Sequence, residues 1–204
     1  MRERADRVLI AALATFMVLG FSAMVVSAWV RDEPVPPESP TQSKVLPTPA
    51  RHPIDLTGAS WFAEMRAYCN PVDVVTRMSW QPAPDTEEGT KYKATCYALA
   101  GRIDDARAAL LTLPYDEQWR GAGVVFGAGH PAADAGDDLA AGPLMELVVE
   151  FWPNHYQALY HAGAAAFERG ELELASGYLH RFLEEYSVQD GWHASAVVML
   201  AEIG

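Results

Sequence analysis

Residues 156–189 read YQALYHAGAAAFERGELELASGYLHRFLEEYSVQ. In the second half, Leu172, Ala175, Leu179, Phe182 and Tyr186 recur at intervals of three and four. That is the spacing of one buried helix face, and strand-type alternation is lacking. Gly170 breaks the chain between two such helices. The same pattern, a glycine followed five residues later by an alanine, occurs at Gly101 and Ala106, Gly136 and Ala141, and Gly170 and Ala175. The three glycines are spaced 35 and then 34 residues apart.

A period of 34 residues resembles that of the tetratricopeptide repeat, in which small residues let paired helices approach and glycine breaks the chain between them. Ala158, Gly163, Ala165, Gly170 and Ala175 fall where that family has its small residues, and Trp152-Pro153-Asn154 resembles the junction closing a preceding copy. In the first copy, about 87–120, the run Tyr97 to Ala106 looks like the family's turn region. The resemblance covers residues 87–204 well and 57–86 loosely. It implies an all-α fold: an antiparallel helix-pair solenoid of about three repeats, with residues 190–203 as a C-terminal capping helix.

Working outward, Trp61, Phe62, Met65 and Cys69 share one face of a helix that Thr57 can cap and Asn70-Pro71 can stop. Ile103, Ala106, Leu110 and Leu113 form another stripe ahead of Pro114. The middle copy departs from the pattern. Its leading helix must pass through Gly121, Gly123, Gly127, Gly129 and Pro131, so it is expected to be short, broken or displaced. Its second helix, residues 139–152, reads as sound.

Upstream, residues 8–30 are 23 consecutive positions without a charge. As a helix they span roughly 34 Å, enough to cross a bilayer core. Arg2, Arg4 and Arg7 precede them, and Asp32 and Glu33 follow, which places residues 1–7 in the cytoplasm and the rest outside it. A cleaved signal peptide is the competing reading, because Val26-Ser27-Ala28 and Phe21-Ser22-Ala23 each place a small residue before a possible cut. The apolar run exceeds the usual secretory length, which favours a retained anchor. Residues 31–56 follow as a proline-rich linker, and the folded part is residues 57–204. Seven prolines between positions 31 and 53 make the linker an extended spacer.

The chain is 204 residues long, 50% apolar and 21% charged, with a net charge of −12. That balance builds a core and argues against nucleic acid as a partner. Cys69 and Cys96, both on the exported side, permit one disulfide; two buried free thiols are the alternative. His130, Asp134, Asp137 and Asp138 form the densest group of potential ligands. Asp137 and Asp138 also stand where acidic residues favour a helix N-terminus, and that role needs no ion. No metal ligand and no cofactor is therefore assigned. His161 and His180 read as helix-surface or groove residues. The six histidines accompany no nucleophile motif or phosphate loop, so no catalytic residue is assigned and the protein is not expected to be an enzyme.

The first helix of each tetratricopeptide repeat lines a concave groove. The resemblance places Gln157, Tyr160, Ala164, Phe167 and Glu168 in it, with Glu88, Lys91, Thr95 and Ala98 in the first copy. From residue 132 to 204 twelve acidic residues face only Arg169 and Arg181, a net −10 that would steer a cationic partner. The expected protein is a membrane-anchored interaction scaffold, or an accessory or assembly subunit of a bacterial membrane complex, respiratory, photosynthetic or secretory. Its partners would be protein subunits of that complex. Its place would be the inner membrane, with residues 8–30 in the bilayer and the C-terminal domain in the periplasm. The alternative is a soluble periplasmic binding module released by signal-peptide cleavage.

Overall fold

Thr57 opens the first helix by accepting a hydrogen bond from the Ser60 amide at 3.2 Å, the N-cap role its residue type favours. The structure, a computed structural model, describes residues 57–204. The anchor and linker expected at 8–30 and 31–56 lie outside the described residues. Among those described, no helix is long and apolar enough to cross a membrane.

The described chain is all-helical, with nine α-helices and no strand. Helix α1 is Gly58–Met65, followed by a 3-10 turn at Arg66–Tyr68, and α2 is Val74–Trp80. Then come α3 (Glu87–Leu99), α4 (Ile103–Leu111), α5 (Tyr115–Asp134) and α6 (Asp138–Phe151). The chain ends with α7 (Tyr156–Glu168), α8 (Leu172–Glu185) and α9 (Gly191–Ile203). From α3 onward each helix packs on its successor, and α3 on α5 and α7 on α9 as well. Side-chain caps start several of them: Thr86 for α3, Asp137 for α6 and Asp190 for α9.

Three turns close in one way. Gly101, Gly136 and Gly170 have φ of 72°, 85° and 75°, the left-handed region open to glycine. At each, two hydrogen bonds return to the preceding helix: Gly101 N to Ala98 O and Arg102 N to Tyr97 O, then Gly136 to Ala133 and Asp137 to Ala132, then Gly170 to Phe167 and Glu171 to Ala166. These are Schellman closures, which satisfy carbonyls that a helix end would otherwise leave without partners. Five residues beyond each glycine, Ala106, Ala141 and Ala175 are at most 1% exposed.

Helix α5 corrects the expectation of a broken middle helix. It runs unbroken for 20 residues. Each glycine costs about 1 kcal/mol of helix propensity, but packing offsets that at two of them. A Cβ on Gly121 would stand 2.6 Å from Leu110 Cδ2, and one on Gly129 2.8 Å from Leu144 Cδ2. Their absence lets α5 approach both α4 and α6. Pro131 lies in the last turn, where its ring nitrogen forgoes one bond to the carbonyl four residues back but the helix has only three residues left to run. Nothing in the structure explains Gly127, which is exposed and open around its Cα.

Two buried clusters result. The larger joins α3 through α9 around Leu110, Val125, Met145, Leu159, Leu179 and Phe182. The smaller surrounds a disulfide between Cys69 and Cys96, with Trp61, Phe62, Met65, Val74 and Met78 packed about it. The bridge ties the 3-10 turn after α1 to α3, and the Trp61 indole N–H donates to Gln81 O at 3.0 Å.

Candidate functional site

Small residues stand where α5, α6, α7 and α8 pack on one another. Besides Gly129 against Leu144, a Cβ on Gly142 would lie 2.5 Å from the Ala165 Cβ, and one on Gly163 2.8 Å from Leu179. Around these contacts sit two histidines and two aspartates that are far apart in sequence. His130 lies one turn before Asp134 on α5, with Nδ1 3.3 Å from Asp134 Oδ2. Asp138 opens α6, and its Oδ1 stands 2.7 Å from Nδ1 of His161 on α7. The two imidazoles meet edge to face, their centroids 5.3 Å apart.

An aromatic wall encloses the pair. Phe126 packs on His130 at 4.5 Å and on His155 at 4.1 Å, while Tyr160 and Trp192 each stand 5.3 Å from His161. The His161 side chain is only 4% exposed and that of His130 18%. This corrects the reading of His161 as a surface or groove residue; an Ala-rich helix buried almost all round leaves it nowhere else to go. His180 is exposed. Nε2 of His130 and Nε2 of His161 are both buried without a hydrogen-bond partner. Burial pushes the His130 imidazole below the ordinary histidine range, the nearby His161 adding to the effect and Asp134 opposing it. Burial likewise lowers His155, whose Nδ1 accepts the Ala158 amide at 3.3 Å as the cap of α7. The sequence showed His130 beside its aspartates, but not His161, 31 positions away, whose partners only the packing of α6 on α7 supplies.

The residues expected to form a groove are divided by the fold. Tyr160 is half-buried, stacked on Trp192 at 5.0 Å and edge-on to Phe182 at 5.2 Å. Ala164 is buried. Gln157 and Phe167 keep part of their surface, and Glu168 is exposed. In the first copy, Thr95 and Ala98 are wholly buried and unable to line a groove. The remaining two make internal bonds: Glu88 accepts the Gly58 amide at 3.0 Å, and Lys91 forms an ion pair with Glu117.

On another surface, Ile103, Arg107, Glu146, Glu150, Tyr178 and Arg181 line a shallow cleft. Its charged side chains already have partners within the chain. Arg107 pairs with Glu150 at 2.8 Å and Arg181 donates to Pro153 O at 2.7 Å, while Glu146 takes Arg169 at 2.5 Å. No protein-family model, curated protein or solved structure matches the chain.

Proposed function

We propose that the protein is a membrane-anchored interaction scaffold, an accessory or assembly subunit of a bacterial envelope complex, built on a tetratricopeptide-like helical solenoid. The observation that carries the reading is the triple recurrence of one helix closure at Gly101, Gly136 and Gly170, each followed by a buried alanine. A helix pair repeated along a chain makes an extended surface suited to holding other proteins. The uncharged run at 8–30 and the proline-rich spacer support presentation of that surface at a distance from a membrane.

The partner we propose is a basic protein segment. Residues 57–204 hold 21 acidic against 9 basic residues, so the whole net charge of −12 belongs to the helical part. Of the residues assigned to the groove, Gln157, Tyr160 and Phe167 keep part of their surface and Glu168 is exposed. The test is capture from native membranes in mild detergent through a C-terminal tag, with intact mass of the recovered chain. Full-length mass together with stoichiometric membrane proteins supports the anchored scaffold. A chain beginning near residue 24 or 29, recovered alone from the soluble fraction, overturns it in favour of a released periplasmic module.

A further inference from the structure

We infer that His130, Asp134 and His161 form a binding site for a divalent transition-metal ion of the zinc class, clamping α5 to α7. One donor atom from each residue lies within 4.8 Å of the other two. Donors around a tetrahedral ion at about 2.0 to 2.1 Å stand roughly 3.3 Å apart, so modest side-chain rotation completes the set.

The independent observation is the state of the imidazoles. Nε2 of His161 and Nε2 of His130 are buried and partnerless, and the His161 side chain is 96% buried, being 4% exposed. A buried polar atom left in this way costs about 1 to 3 kcal/mol, and native structures seldom leave one without a reason. Coordination through Nε2 of His161 supplies the missing partner there. Asp138 makes the arrangement more specific: its carboxylate at 2.7 Å from Nδ1 fixes the proton there and leaves the Nε2 lone pair free. Metal-bound histidines are held in this way by an outer carboxylate, which also raises their basicity as ligands.

The donor chemistry selects the ion. Two imidazoles and one carboxylate suit zinc and its first-row neighbours, whereas magnesium and calcium require oxygen donors. Phe126, Tyr160 and Trp192 exclude water from one side. Asp134, 55% exposed, leaves an open approach on the other, where water can complete the coordination.

The test uses the full chain in detergent, stripped with a chelator and titrated with zinc, cobalt(II) and magnesium by calorimetry, thermal melting and visible absorption. Expected are one zinc per chain, a raised Tm, a tetrahedral cobalt spectrum and no response to magnesium. Because His161 is deep in the core, the diagnostic variants are Asp134→Asn and His130→Gln, with His180→Gln as control. Each diagnostic variant should weaken zinc at least ~10-fold, the scale seen when the surroundings of a metal site are altered, with helical content retained and the control unchanged. Absence of zinc binding by the wild-type chain, or equal affinity in the wild type and both diagnostic variants, overturns the assignment.

Discussion

The carboxylate of Asp138, the first residue of α6, stands 2.7 Å from Nδ1 of His161 in the middle of α7. Both side chains are largely buried, at 16% and 4% exposure. The bond therefore joins two helices inside the core and is weakly screened by solvent. In the metal-free chain, Asp138→Ala should cost about 1 to 3 kcal/mol, because His161 is then left with neither nitrogen paired. Urea denaturation of the two chains measures this, and an unchanged midpoint would show that the contact contributes nothing.

The disulfide closes a loop with a sequence separation of 27. In the chain-entropy account a bridge of that span stabilises by about 3 to 4 kcal/mol. Replacing both Cys69 and Cys96 by Ala should lower stability by that order, and a reductant should lower the wild type similarly while leaving the variant alone. Denaturation with and without reductant checks both statements.

Gly170 and Gly163 should fail for different reasons when replaced by Val. At Gly170 nothing lies within 4 Å of a built Cβ, but φ is +75°. The cost is then conformational, about 1 to 2 kcal/mol, and Gly170→Asn should recover part of it. At Gly163 the added atoms meet Leu179 at 2.8 Å, so overpacking costs about 1 to 3 kcal/mol and Asn gives no recovery. Melting curves of the four variants separate the two causes.

Asp190 predicts a loss of stability in acid. The Tyr186 hydroxyl, donating at 2.5 Å, is the chief reason its carboxyl lies below the ordinary aspartate value of 3.8, with the Trp192 and His193 amides adding to it. A folded pKa below the unfolded one gives stability that is complete above 3.8 and lost as pH falls through the folded value. Tyr186→Phe keeps the ring and removes the main cause. Its Tm should lie below that of the wild type at neutral pH, with the gap closing at low pH. A constant gap across the pH series would refute the linkage.

The helix ends were legible because their signals are local. Thr57 caps α1, and Gly101, Gly136 and Gly170 close α3, α5 and α7 through backbone geometry that glycine readily adopts. The stripes at 103–113 and 172–186 were equally plain, since a period near 3.6 needs only its own segment to be seen, although Leu172, at the start of its helix, is 43% exposed and Ala175, Leu179 and Phe182 carry the buried face. Helix α5 was misread for the converse reason. Propensity counted Gly121 and Gly129 as penalties, whereas their value lies in Leu110 and Leu144 on other helices. In the groove, a family register assigned Tyr160 and Ala164 to the surface, and the packing of α9 and of the core turned them inward.

By itself, then, the sequence determined that residues 57–204 are helical and punctuated every 34 or 35 residues, because capping, closure and amphipathic spacing act over a few residues. Tertiary structure alone decided the rest: the unbroken α5, the burial of His161, and its meeting with His130 and Asp138. Those outcomes depend on how near two helices can come, and that distance is set jointly by small residues on one helix and large ones on another.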